Sequence, residues 1–245
     1  MWPAYRCFVD TPDLRAGSLT LDQAESLHLV KVRRAGPGEE VAVLNGHGQV
    51  GVARLVSAGK RDVVLEVERV ETLPPPVPEI TLAIGGLKQA AWDELLRHAV
   101  ELGVNRIVRV QSDHAVADVQ AGKEEAKLSR WREKMVQALK QSANPWMPEL
   151  VIADSVGRAL ERLPAANLQV VGAFSATATI RTEVNQAPPG AITLWVGPEG
   201  DFSDSELSRL REAGARLVSL GPRILRAETA ALAMVAAVRL VLCKP

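Results

Sequence analysis

Four prolines in five residues, Pro74-Pro-Pro-Val-Pro78, divide this chain of 245 residues. Each removes a backbone donor and holds φ near one value, so the run continues neither a helix nor a ladder and reads as a stiff, extended linker. Before it lie short runs of strand type: Tyr5–Val9, Glu40–Leu44, Gln49–Ser57 and Asp62–Val70. Asn45-Gly-His-Gly48 reads as a hairpin turn, because Asn-Gly tolerates positive φ. One helix interrupts them, opening at Thr20 with Gln23 as its capping-box partner and running to about Arg33. Five or so short strands and a helix predict a small β-barrel over residues 1–73.

Beyond the linker, over residues 79–245, the period changes. Ile80–Ile84 is a strand of buried type. Trp92, Leu95, Leu96, Ala99 and Leu102 then recur at helical spacing, with Gly103 closing the helix. Arg106–Val110 is the next strand, and a polar helix follows over about Lys123–Ser142. Strands near Leu150–Ile152, Gln169–Ala173, Thr193–Val196 and Arg216–Leu220 complete the set. Strands alternating with helices predict an α/β domain with a mostly parallel sheet. Ser203-Asp-Ser-Glu206 is a capping box. The last helix, about Glu228–Leu242, carries only Arg239 as a charge past its first turn, so burial on nearly every side is expected.

Charge is balanced over the chain, 29 basic against 29 acidic residues, which argues against a generic nucleic-acid coat. A local basic cluster such as Lys31-Val-Arg-Arg34 remains compatible with one specific RNA site. No apolar run approaches the roughly 20 residues of a membrane span. The first residues lack the pattern of a signal peptide, so the cytoplasm is the expected location and no membrane partner is expected. Cys7 and Cys243 form no metal-ligand pattern, and no metal is expected.

Two loops carry the chemistry. Leu194-Trp-Val runs into Gly197-Pro-Glu-Gly200, and Ser219-Leu-Gly-Pro runs into Arg223-Ile-Leu-Arg-Ala-Glu-Thr229. Each follows a strand and precedes a helix, the position at which open α/β sheets bind ligands. Gly197 and Gly200 permit close backbone approach or positive φ. No Gly-x-x-x-x-Gly-Lys-Ser/Thr phosphate cradle and no Gly-x-Gly-x-x-Gly fingerprint is present.

This pair of loops resembles the signature of the RsmE family, S-adenosylmethionine (SAM)-dependent methyltransferases that modify a uridine N3 in small-subunit (16S) ribosomal RNA. The family belongs to the SPOUT superfamily. The resemblance implies a PUA-like RNA-binding barrel at 1–73 and a SPOUT α/β domain with a deep trefoil knot at 79–245. It also implies a homodimer, with the last helix threaded through the knot and packed in the interface. The cofactor set it implies is Ala173, Phe174, Gly197, Pro198, Glu199, Gly200, Leu220, Gly221, Ile224, Leu225, Thr229 and Ala230, with backbone groups of Leu220, Gly221 and Leu225 reading the adenine edge. Arg6, Arg33, Arg34, Lys88 and Arg223 are the implied contacts to 16S rRNA or the small subunit.

Methyl transfer to N3 needs in-line positioning and a cation for the charge that develops on O2 and O4. Arg226 is the first candidate for that cation and Arg223 the second. The alternative for Arg226 is an ion pair with Glu228 or Glu199 that only braces the fold. Glu199 either accepts the N3 proton or orients a donor, or it caps its own loop; Thr229 caps or begins the last helix. His28, His47, His98 and His114 read as surface or packing residues. The chain departs from the family pattern at Gln89, His98, His114, Asn144 and Asp201, which thins the cations expected to face RNA. A SPOUT enzyme with another RNA target, or a non-catalytic RNA-binding factor of the same fold, are the competing readings.

Overall fold

The computed structural model describes residues 2–59, 62–115, 124–186 and 190–242. They form two compact units: Met1–Pro75 with Met135–Met147, and Pro76–Lys134 with Pro148–Pro245. Residues 135–147 therefore cluster with the amino-terminal unit, an excursion that a division into consecutive segments does not contain.

The first unit holds β1 (Tyr5–Phe8), β2 (Gly17–Thr20), α1 (Gln23–Leu27) running into a π-helical turn (His28–Val32), β3 (Glu40–Leu44), β4 (Gln49–Ala58) and β5 (Val63–Thr72). The strands make one sheet in the order β1-β3-β4-β5-β2, with β1 parallel to β3 and the other pairs antiparallel. Along β5, Val63, Leu65 and Val67 face the core while Glu66 and Glu68 face solvent, the period of two that a half-buried sheet requires. Register shifts at Val52/Ala53 and Leu55/Ser57 bend the long β4–β5 pair.

The expected helix start moves. Thr20 is paired to Val64 in the β2–β5 ladder, and Asp22 caps the helix instead, its Oδ1 accepting from the Glu25 amide at 2.8 Å. The Asn45–Gly48 turn is closed by the Asn45 side chain, whose Oδ1 accepts from the His47 and Gln49 amides at 2.9 and 3.0 Å. Gly46 and Gly48 take φ of 78° and 88°. Gly48 is doubly required, since a Cβ there would lie 2.2 Å from the Trp146 ring. Cys7 is a free thiol in this core, where burial beside Glu25 pushes its pKa up, so it packs as a small apolar group. Cys243 lies outside the described residues.

The second unit contains β6 (Ile80–Gly85), α2 (Gln89–Glu101), β7 (Arg106–Val110), the first part of α3 (Glu124–Ser142), β8 (Glu149–Ala153), α4 (Val156–Arg162), β9 (Leu168–Gly172), α5 (Ile180–Gln186), β10 (Ile192–Val196), α6 (Asp204–Glu212), β11 (Arg216–Val218) and α7 (Ala227–Leu242). Its six strands are all parallel, in the order β11-β9-β10-β6-β7-β8. Every residue of β6 and β10 is buried, as for central strands covered on both faces.

Helix α7 departs from the expectation of burial all round. Ala231, Met234, Val235 and Val238 are buried against the unit, whereas Ala233 and Leu240 are exposed, Leu240 by 85%. Its apolar surface is thus wider than the face that its own chain covers. Arg239 reaches the end of α2, donating to Leu102 O, Gly103 O and Pro78 O. No helix among the described residues is long and apolar enough to cross a membrane.

Candidate active site

The chain passes from β8, at one edge of the parallel sheet, to β9 near the other, and β10 and β11 then flank β9. Where strand order reverses in this way, the loops leave a crevice at the carboxyl ends of the strands. A cavity of about 350 Å³ occupies that position at the ends of β9, β10 and β11.

It gathers most of the expected cofactor residues: Ala173 and Phe174 after β9; Gly197, Pro198 and Glu199 after β10; Leu220, Gly221, Ile224 and Leu225 after β11; and Ala230 from α7. Arg223 and Arg226 line it too. Gly200 and Thr229 do not belong to the lining. Ala227, which the sequence does not single out, and Asp201, which it marks only as a departure from the family pattern, do. Phe174 and Ile224 leave 61% and 84% of their surfaces to solvent, so the rim of the cavity is apolar.

The loop after β10 is shaped by close approaches. It crosses the end of β6, where a Cβ on Gly85 would sit 2.5 Å from Pro198 Cδ. Gly197 is needed for a similar reason, since a Cβ there would meet Asp201 Oδ1 at 2.6 Å. Asp201 takes φ of 61° and its Oδ1 accepts from the Phe202 amide at 2.7 Å, a local bond that makes the left-handed conformation tolerable for aspartate. The loop ends in the expected capping box. Ser203 Oγ accepts from the Glu206 amide, and Glu206 Oε2 accepts from the Ser203 amide.

Glu199 meets Lys88 Nζ at 3.0 Å. Both are mostly exposed, so the pair contributes little to stability but holds Lys88, expected on RNA, at the rim beside the cofactor loop. Among the described residues no ion pair joins Arg226 to Glu199 or Glu228. The Arg226 carbonyl accepts from the Ala230 amide at 2.8 Å, which makes Arg226 the residue at the mouth of α7 and puts Thr229 inside the first turn rather than at the cap. In the loop after β11, Gly221 takes φ of 113° with open space around it, so there the backbone conformation alone requires glycine.

The other expected RNA contacts fall in the first unit. Arg6 and Arg33 share a cavity of about 340 Å³ with His28, Gln137, Lys140 and Gln141. Arg6 Nη1 donates to Lys140 O and Gln141 O at 3.0 and 2.7 Å, and Arg33 Nη2 donates to Ala4 O at 3.2 Å. Carbonyls aim these guanidinium groups without neutralising them. His28 is held below its ordinary pKa, first by burial and then by Lys140, so it adds no charge at neutral pH. Arg34 is exposed, at φ 59°, and lies outside this cavity. No group of three or more metal-ligating side chains occurs among the described residues.

The RNA methyltransferase domain family matches residues 74–239, and the RNA methyltransferase PUA domain family matches residues 21–68. A ribosomal RNA small subunit methyltransferase E from Mycobacterium bovis is 31% identical over 236 residues, covering 94% of this chain and 89% of its own. A ribosomal RNA small subunit methyltransferase E from Neisseria gonorrhoeae, solved bound to S-adenosyl methionine, superposes with a TM-score of 0.87 at 28% identity and 98% coverage of both chains. A Legionella pneumophila protein solved with bound SAM gives the same TM-score at 25% identity, with 96% of each chain covered. With its α/β unit, its PUA match and this full-length likeness, the chain belongs to the ribosomal RNA small subunit methyltransferase E family, RNA methyltransferases also known as RsmE.

Proposed function

We propose that this protein transfers a methyl group from SAM to N3 of a uridine in small-subunit (16S) ribosomal RNA. The cavity at the ends of β9, β10 and β11 carries the reading. Its volume is that of an ordinary small-molecule site, and its apolar rim suits an adenine and a thioether chain. It is lined by the loops at three strand ends, and the sequence carries no phosphate cradle, which fits a cofactor without phosphates. Glu199 supplies a carboxylate near a site meant for a sulfonium.

Bound SAM supplies a methyl group already activated for transfer, so the chain has only to position groups and manage charge. Gly197 and the backbone of Leu220, Gly221 and Leu225 hold the cofactor. Arg226, at the mouth of α7 and free of intramolecular ion pairs among the described residues, stabilises negative charge on the uracil oxygens. Arg223 stands beside it on the rim. Glu199, already steered by Lys88, is the acceptor in reach for the N3 proton, with solvent beyond it. Arg6 and Arg33 contact the RNA backbone from the PUA unit, and Arg34 adds charge nearby in sequence.

The same reading extends to architecture. We infer that the crossing connections around β9 and β10 form the trefoil knot of SPOUT enzymes and that the bent amino-terminal sheet is the barrel of a PUA-like domain. The exposed Ala233 and Leu240 on α7 support a homodimer that covers them. A cytoplasmic location follows from a ribosomal substrate.

The test has two steps. Titration calorimetry with SAM and S-adenosylhomocysteine (SAH) should give saturable binding at one site per subunit. Small subunits lacking the modification should then receive one methyl group at uridine N3, located by mass spectrometry. SAH binding without transfer to any small-subunit uridine would sink the substrate assignment and keep the cofactor site.

A further inference from the structure

The loops after β7 and β10 leave strands that are not neighbours, because β6 runs between them. They are nonetheless tied together above the end of β6. His114, in the loop after β7, places Nδ1 3.0 Å from Gly200 O and 3.2 Å from Asp201 O. Carbonyl oxygens only accept, so Nδ1 carries a proton and donates to both. Gly200 permits the approach, since a Cβ there would sit 3.0 Å from His114 Cβ. Beside this clasp, Ser203 Oγ donates to Asp113 Oδ2 at 2.5 Å, and the Asp113 amide donates to Glu206 Oε1 at 3.1 Å.

These contacts explain a residue that the cavity does not. Gly200 is outside the lining, while Gly197, Pro198, Glu199 and Asp201 are within it. The segment is pinned by Pro198 against Gly85 at one end and by His114 at the other. We propose that His114 is a positioning residue. By donating from Nδ1 to the Gly200 and Asp201 carbonyls, it holds the cavity-facing stretch 197–201 in the shape that receives the cofactor. This rests on the reading of the cavity as the SAM site.

An exposed histidine with a merely incidental contact would behave differently, and the position of the donor separates the two. An asparagine side chain puts its amide nitrogen close to where Nδ1 stands; a glutamine puts it nearer to Nε2. The experiment compares wild type with His114→Ala, His114→Asn and His114→Gln in the full-length protein. Hydrogen exchange of peptides spanning 197–203 is measured without ligand, and SAH affinity is measured by calorimetry.

Loss of one or two hydrogen bonds predicts SAH binding weakened about fivefold to tenfold in the alanine and glutamine variants, with faster exchange across the loop. The asparagine variant should stay within about twofold of wild type on the same scale. The idea is overturned if His114→Ala matches wild type in both readouts, or if the asparagine and glutamine variants fall equally. If wild type itself binds no SAH, it is the cofactor-site reading that fails. Should the alanine variant fold poorly, the asparagine–glutamine pair still decides.

Discussion

Arg226 illustrates how much one side chain's role depends on what it does not touch. Its backbone carbonyl belongs to the first hydrogen bond of α7, and its side chain lines the cavity, outside the Lys88–Glu199 pair. A guanidinium kept free for substrate should matter to the transition state more than to cofactor binding. Arg226→Ala is expected to keep SAH affinity within about threefold while slowing single-turnover methyl transfer by about 10²–10³. A parallel fall in both would make Arg226 a brace for its loop. The neighbouring glycines are legible in the sequence as positions of close approach or positive φ, but the sequence does not say which constraint acts where. Gly197 serves a close approach to Asp201, Gly200 serves His114, and Gly221 serves a positive φ. One letter encodes three constraints, and only the spatial neighbours tell them apart. His114 reads as surface or packing in the sequence because its partners lie 86 and 87 residues away.

Elements that depend on short-range bonds were the most readable. The box Ser203-Asp-Ser-Glu206 needs nothing outside itself, and both of its reciprocal bonds form. The Thr20–Gln23 box has the same spacing and fails, because the Thr20 backbone is committed to a ladder with β5. The strand-type runs Asp62–Val70 and Ile80–Ile84 locate β5 and β6, yet nothing in the sequence marks β2: it is four residues long and exists through the Gly17↔Val67 pairing and its neighbours. The exposed side of α7 could not be read from composition, which records how apolar a helix is and not what covers it. Ser203 also shows an element-scale cost. Its hydroxyl both caps α6 and donates to Asp113, so Ser203→Ala removes a cap worth ~1 kcal/mol together with a tie between loops. The unit's Tm should fall by about 2–4 °C in differential scanning calorimetry, and threonine at this position, which keeps the hydroxyl, should restore most of it.

At the scale of the whole molecule the chain divides within its proline run, between Pro75 and Pro76, but one later segment belongs to the first unit. The excursion Met135–Met147 joins the first unit through partners far away in sequence, Lys140 and Glu25 being 115 residues apart. Lys140 Nζ reaches Glu25 Oε1 at 2.5 Å with both side chains almost fully buried, and Glu25 Oε2 accepts from the Phe8 amide at 3.1 Å. Trp146 closes on Gly48, and the Met147 amide donates to Gly46 O at 2.9 Å. No periodicity in the sequence announces such contacts, since a lysine in a polar helix looks like solvated surface until its partner is known. Removing one member of a buried pair strands the other in a medium that solvates it poorly, at a cost of about 3–5 kcal/mol. Lys140→Met should therefore lower the Tm of the amino-terminal unit by more than about 10 °C. Glu25→Gln added to Lys140→Met should recover much of that loss, because glutamine is neutral and still offers an oxygen to the Phe8 amide. SAH identifies which transition is which: at about a hundred times its Kd it should stabilise the unit bearing the cavity by ~2.7 kcal/mol and leave the other transition in place. If Lys140→Met shifts only the SAH-sensitive transition, the excursion is energetically part of the methyltransferase unit, and the division of the chain argued from the Glu25 contact is wrong.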